Sequence, residues 1–209
     1  MLKVLIVCTG NICRSPIAHG LLHDRARRVG EDWLEVRSAG TWGRSGSGAT
    51  PEAVSAAAGL GVDIEAHRSS RFNDDMAKWA DLIITMTTEQ AAEVLQESPE
   101  ARAKTFTLKE LVSLLGSLPP RAAAETTHKE GLTRRIGEAD QARSSGHSLP
   151  LDLDVADPLG LSETVYRAVA NELEGLVDDL LRTLAGKRDD SITSVPERKR
   201  RYPPAPPSA

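Results

Sequence analysis

The chain has 209 residues, enough for one domain with a sizeable core and extensions, and its 40% hydrophobic and 27% charged content is that of an ordinary globular protein. A formal charge of −4 excludes nucleic-acid binding by composition. Bases are in excess in residues 187–209 and 117–149, which leaves the body at −8, so any anion it binds must be captured by a local device. Only two cysteines occur, Cys8 and Cys13, which excludes a disulfide framework and a self-sufficient four-ligand zinc site and suits a reducing, cytoplasmic setting.

Met1-Leu2-Lys3 runs into a short apolar stretch that ends at Cys8. It is too short to span a membrane, and with Asn11 and Arg14 directly behind it makes a poor signal peptide. Leu2–Val7 is instead an apolar, β-branched strand, buried on both faces. Thr9–Ser15 is a polar turn, and Ser15-Pro16 has the residue types of an N-cap and first helical position. Ile17, Leu21, Leu22 and Val29 mark a helical face that stops at Gly30. Leu34–Ser38 is a second strand, followed by a Gly- and Ser-rich loop over 39–49. Thr50-Pro51-Glu52 opens a helix that closes near Gly59–Gly61. Leu82–Met86 is a strand, Thr88–Glu97 a helix, Thr105–Thr107 a strand and Leu108–Leu115 a helix. The last helix begins at Ser162-Glu163, with Val165, Val169, Leu173, Leu176, Leu180 and Leu184 at spacings of three and four. Strands alternating with helices predict an α/β fold with a parallel sheet.

Two segments break that rhythm. Residues 117–149 lack a sustained apolar period and read as a flexible insertion in a domain spanning 1–186. Because they end just before Asp154–Gly160, they are expected to overhang any site that this stretch helps to form. Residues 187–209, basic and proline-rich, read as a disordered tail.

Cys8-Thr9-Gly10-Asn11-Ile12-Cys13-Arg14-Ser15 sets a cysteine and an arginine six positions apart between a strand and a helix. A loop wrapped round a phosphate points successive backbone N–H groups at its oxygens, and the helix behind adds its positive end. Gly10 and Asn11 are residue types that tolerate a left-handed backbone. Arg14 offers a planar fork for two oxygens. Cys8, at the strand end, lies beneath the phosphorus, where this positive surround favours the nucleophilic thiolate. His19 and His23 stand four apart on the first helix; with no third ligand in view they read as a surface pair rather than a metal site.

The run Val7–Pro16 resembles the phosphate loop of the low-molecular-weight protein tyrosine phosphatases. Ser38-Ala39-Gly40-Thr41, Ala80–Thr87, Leu108-Lys109-Glu110, Asp154–Gly160 and Tyr166-Arg167 resemble later blocks of that family, so the likeness covers residues 2–116 and 150–185. It implies a four-stranded parallel sheet flanked by helices and hydrolysis of phosphotyrosine through a phosphocysteine. Cys8 would be the nucleophile, Arg14 the phosphate clamp and Asp157 the general acid. Thr9, Gly10, Asn11, Ile12, Cys13 and Ser15 would line the anion, Ser15 also supporting the thiolate. Ser38 and His67 would hold Asn11 in place. Ile12, Trp42 and Leu159 would border the substrate slot; the family often has an aromatic where Leu159 stands. No cofactor or metal is implied. The expected partner is a phosphorylated protein, with no nucleic acid or membrane, and the chain is expected to be a monomer. Cys13 either packs as a small apolar residue or pairs reversibly with Cys8, and the two are compatible.

Three other readings are weighed against this one. An arsenate reductase built on this loop needs further cysteines, and none follows Cys13. A protein-arginine phosphatase carries threonine at the position of Ile12. A phosphate-binding module without turnover has no use for Cys8, Arg14 and Asp157 together.

Overall fold

The computed structural model describes residues 1–28, 33–119 and 129–185. The tail over 187–209 and the helix end at Val29 and Gly30 lie outside the described residues. Four strands, β1 (Leu2–Cys8), β2 (Leu34–Gly40), β3 (Leu82–Thr85) and β4 (Thr105–Thr107), form one parallel sheet in the order β2-β1-β3-β4. Among the described residues seven α-helices and a short 3-10 helix (Pro99–Lys104) connect and follow them: α1 (Arg14–Arg28), α2 (Pro51–Gly59), α3 (Asp74–Trp79), α4 (Thr88–Glu97), α5 (Leu108–Ser117), α6 (Lys129–Ser144) and α7 (Glu163–Ala185). The expected fold class is therefore the observed one.

The alternation of β1 explains its unbroken apolar run. Leu2, Val4, Ile6 and Cys8 face a core shared with α1, α2, α5 and α7, while Leu5 and Val7 face a smaller core with Ala77, Ile83 and Val94. β1 has β2 on one side and β3 on the other, so the connections diverge beyond its C-terminal end. An open α/β sheet places its ligand crevice at such a point.

Local chemistry sets the helix starts. Thr50 caps α2 with Pro51 behind it. Thr87 with Gln90 and Thr107 with Glu110 form reciprocal capping boxes on α4 and α5. α1 begins earlier than expected, at Arg14, so Ser15 and Pro16 are its second and third residues. On α7 the buried stripe is Tyr166, Val169, Leu173, Val177, Leu180 and Leu184; Val165 and Leu176 are only half-buried.

The segment read as a flexible insertion contains α6, which corrects that reading. Leu132, Arg135, Ile136 and Ala139 are buried at helical spacing. Arg135 donates to the Leu115 carbonyl at 3.2 Å, and Arg143 donates to the carbonyls of Thr105 and Arg102, both at 2.8 Å, with its guanidinium 4.2 Å from the Phe106 ring centroid. Lys129 pairs with Asp81, whose carboxylate also takes the Lys3 N–H. Lys3, Asp81 and Thr105 stand at or beside the starts of β1, β3 and β4, while Leu115, and Glu110 in an ion pair with Arg143, hold α6 along α5. These contacts tie α6 to the sheet and to α5, and none of them is to residues 8–15.

Candidate active site

The turn after β1 curls into the first residues of α1. Asn11 is the only described non-glycine residue at positive φ, 52°. Gly10 is not left-handed; its need is space, since a Cβ there would lie 3.2 Å from Ile12 Cγ1. The left-handed backbone costs Asn11 about 1–2 kcal/mol. Four hydrogen bonds, each contributing about 1 kcal/mol, outweigh that. Its N–H donates to Cys8 Sγ at 3.2 Å, and its Nδ2 donates to Ser15 Oγ at 2.8 Å. Its Oδ1 accepts the Ser70 N–H at 2.9 Å, and its carbonyl meets His67 Nε2 at 2.7 Å. A carbonyl only accepts, so His67 carries its proton on Nε2.

His67 thus bonds Asn11, whereas Ser38 does not. The Ser38 hydroxyl meets His19 Nδ1 at 3.4 Å, and Ser15 and Ser70 hold the Asn11 amide instead. In a parallel register that pairs it with Ile6, Ser38 sits two residues short of the strand end. His19 is buried, not on the surface, and burial with nearby His67 and His23 pushes its pKa down to about 3. Burial also lowers His67.

Ser15 closes the circuit on the sulfur. Because Asn11 donates to its oxygen, the Ser15 hydrogen is free for Cys8 Sγ, 3.0 Å away. The buried Cys8 sulfur therefore faces two donors, the arrangement a thiolate requires. Cys13 is also buried and unpaired by disulfide. Its sulfur lies 3.5 Å from the Tyr166 hydroxyl and 3.7 Å from Thr50 Oγ1, under the loop. Burial raises its pKa, and Tyr166 is pushed up to about 12.

The second half of the site comes from a loop 141 residues further on. Arg14, buried, donates through Nη1 to the Val155 carbonyl at 3.1 Å and through Nη2 to Asp157 Oδ2 at 2.6 Å. The other Asp157 oxygen accepts the Leu159 N–H at 3.1 Å. This loop is strapped to the sheet by the Val155 N–H on the Met86 carbonyl, Thr88 N–H on Asp154, and Lys109 on Asp152.

Close approach of β2 completes the cradle. Thr41 N–H donates to the Cys8 carbonyl and Trp42 N–H to the Thr9 carbonyl, both at 2.9 Å. A Cβ on Gly40 would lie 2.6 Å from the Thr9 carbonyl oxygen and 2.9 Å from the Asn11 nitrogen, so only glycine fits. Trp42 is 68% exposed and fixed by a 2.6 Å hydrogen bond from Nε1 to Glu93. Ile12 is half-buried within the loop, and Leu159 is 55% exposed beside Asp157. A groove of about 200 Å³ between Trp42, Arg71 and Glu93 flanks the site; residues 8–15 do not line it.

The cysteine–arginine loop on a strand-to-helix turn, with an aspartate delivered to the arginine, agrees with the family comparison. The model of the low molecular weight phosphotyrosine protein phosphatases matches residues 3–117. The chain belongs to that family. A protein-arginine-phosphatase of Geobacillus stearothermophilus is 33% identical over 182 residues, 87% of this chain and 95% of that relative. The low molecular weight protein-tyrosine-phosphatase Etp of Escherichia coli K12 is 42% identical over 104 residues, 50% of this chain and 67% of the relative. The solved structure of a low molecular weight protein tyrosine phosphatase from T. tengcongensis superposes with a TM-score of 0.66 at 31% identity, covering 87% of this chain and 99% of that one. Family membership extends the match from the loop to the whole sheet.

Sequence reasoning missed four contributors: Gln90, Ser70, Thr50 and the Val155 carbonyl. Gln90 and Thr50 left sequence signals as helix caps, the Thr87-x-x-Gln90 pattern and the Thr50-Pro51 start, though neither pattern announces a contact with the loop. The others act through backbone groups or through contacts made only by the fold. Among the described residues no helix is long and apolar enough to cross a membrane.

Proposed function

We propose that this member of the family hydrolyses phosphotyrosine in proteins, with Cys8 as nucleophile. The reading is carried by one observation: the Cys8 sulfur with its two donors and Arg14 share one eight-residue loop at the crevice of the sheet, and a second loop brings Asp157 to Arg14. In the first step the Cys8 thiolate attacks phosphorus, the P–O bond to the tyrosine breaks, and Asp157 gives its proton to the leaving oxygen. In the second, Asp157 takes a proton from water as that water displaces sulfur, releasing inorganic phosphate. Arg14, loop amides and the start of α1 would hold the phosphoryl oxygens through both steps. A phosphorylated protein is the partner this reading requires. Cys8→Ser is expected to bind inorganic phosphate yet lose all turnover of p-nitrophenyl phosphate. Retained turnover in that variant would end the covalent scheme.

A second reading, phosphoarginine hydrolysis, is favoured by one finding. The relative of that name aligns with 87% of the chain, whereas the Etp match covers 50%. Ile12 argues for tyrosine. It brings an apolar side chain to the loop, packed across Gly10, and has no hydrogen-bonding group for a guanidinium head. The ratio of kcat/KM on matched phosphotyrosine and phosphoarginine peptides decides between them. Wild type is expected to prefer phosphotyrosine, and Ile12→Thr to shift the ratio toward phosphoarginine; a wild-type preference for phosphoarginine would install the second reading.

A further inference from the structure

Gln90 is buried in the first turn of α4, 2% exposed. Its Oε1 accepts the N–H of Met86 at 3.0 Å and of Thr87 at 3.2 Å. Those two donors fix the orientation of the amide, because only its oxygen accepts. Nε2 is then directed the other way, to Thr9 Oγ1 at 3.0 Å. Arg14 Nη2 approaches the same hydroxyl oxygen at 3.5 Å. A hydroxyl has two lone pairs and one hydrogen. With both lone pairs engaged, the Thr9 hydrogen is left to be given away. Thr9 is exposed and directly follows Cys8, and its carbonyl is pinned by the Trp42 N–H.

We propose that Gln90 is a positioning residue that turns the Thr9 hydroxyl into an obligate donor to the anion held in the loop. The inference rests on the phosphoryl-binding reading of residues 8–15. A charged phosphoryl oxygen gains a short, strong hydrogen bond from such a donor. A threonine free to rotate would offer it a lone pair in some orientations, and repulsion in place of attraction.

Capping of α4 alone would also account for a buried glutamine, and one substitution separates the two roles. Gln90→Glu keeps the cap, since a carboxylate oxygen accepts both N–H groups and glutamate is a standard residue at that place. Its second oxygen, however, accepts where Nε2 donated. It captures the Thr9 hydrogen and turns the hydroxyl away from the anion.

The test is calorimetric titration of the full chain with inorganic phosphate, alongside thermal unfolding and p-nitrophenyl phosphate kinetics. Gln90→Glu is expected to keep its melting temperature while weakening phosphate about tenfold to a hundredfold, the effect of one hydrogen bond to a charged group. Thr9→Val is expected to do the same, and Thr9→Ser to retain wild-type affinity. The Gln90→Glu/Thr9→Val double variant is expected to be no weaker than the worse single one. Additive losses would assign the effect to direct repulsion by the new carboxylate and overturn the proposal, as would unchanged phosphate affinity in both single variants. If Gln90→Glu fails to fold, the comparison of Thr9→Val with Thr9→Ser carries the test, because Thr9 is exposed. Binding is read without turnover. A wild type that binds phosphate but leaves p-nitrophenyl phosphate intact would refute the proposed hydrolysis while this inference is still decided; a wild type that binds no phosphate would overturn both.

Discussion

Arg14 and Asp157, separated by 143 positions in the chain, lie 2.6 Å apart from Nη2 to Oδ2. The proposed phosphate clamp and the proposed general acid are thus each other's partners. A phosphate entering the loop competes with Asp157 for that guanidinium face. Asp157→Ala is therefore expected to bind inorganic phosphate at least as tightly as wild type, while hydrolysis of a phosphotyrosine peptide falls about a hundredfold. With p-nitrophenyl phosphate, whose leaving group needs no proton, the fall is expected to be much smaller. Weaker phosphate binding in the variant, or equal losses on both substrates, would show that the carboxylate acts structurally.

The hydrogen bonds to Asn11 rank its neighbours. His67 bonds its carbonyl, whereas Ser38 bonds His19. Loss of one hydrogen bond from a strained, buried loop costs about 1–3 kcal/mol. His67→Phe is expected to lower kcat for p-nitrophenyl phosphate about tenfold or more, and Ser38→Ala to stay within about twofold of wild type. Equal defects in steady-state assays of the two variants would place Ser38 in the same circuit.

Stability is expected to depend on pH through His19 and His67. Burial holds His19 down to about 3 and lowers His67 below its ordinary 6.5, so the fold keeps both rings neutral. The unfolded chain protonates them near pH 6.5 and binds the additional protons. Their contribution is then flat above pH 6.5 and is lost as pH falls from there toward 3, with a slope of at most about 1.4 kcal/mol per pH unit for each ring. Asp81, held below its ordinary value with Lys129 and the Lys3 N–H as stabilising partners, adds a separate loss only under about pH 4. Urea unfolding at pH 7.5, 6.5, 5.5 and 4.5 reads the first window. His19→Gln is expected to flatten it by about one proton; an unchanged slope would mean that His19 titrates normally in the fold.

α6 is expected to contribute stability and no chemistry. Arg143 donates to two backbone carbonyls beside β4, and its side chain is only 10% exposed. Arg143→Ala leaves those acceptors without their charged donor and is expected to cost about 2–3 kcal/mol in urea unfolding. At 25 °C the variant is expected to turn over p-nitrophenyl phosphate at the wild-type rate, because the partners of Arg143 are Thr105, Arg102, Asp140 and Glu110 and not residues 8–15 or Asp157. A raised KM in Arg143→Ala would reinstate contact between this segment and the site.

The sheet and the loop were legible because their signals are local. Leu2–Val7 is apolar throughout, and Cys8-x5-Arg14 states its chemistry within one turn of chain. The buried stripe of α7 drifted by a residue from the one read in the sequence, since Tyr166 and Val177 bury where Val165 and Leu176 do not. α6 was missed for a different reason. Its inner face is Leu132, Arg135, Ile136 and Ala139, and two of its anchors are guanidinium groups whose stems lie against the core. A pattern search for apolar residues counts those arginines as surface. Ser38 was misassigned because strand register, which fixes where a hydroxyl points, is not written in the strand itself.

Gly40 has no side chain to carry chemistry, yet the space where a Cβ would stand is filled by the backbone of Thr9 and Asn11. Replacing it with alanine would push the floor of the loop by several tenths of an ångström, because the atoms a Cβ would meet are backbone. A genetic screen that scores only lost activity would then rank position 40 with Cys8 and Arg14. The innocent residue and the reactive ones would be indistinguishable by phenotype. Only a protein-level assay, intact melting with absent phosphate binding, would tell a displaced cradle from a missing nucleophile.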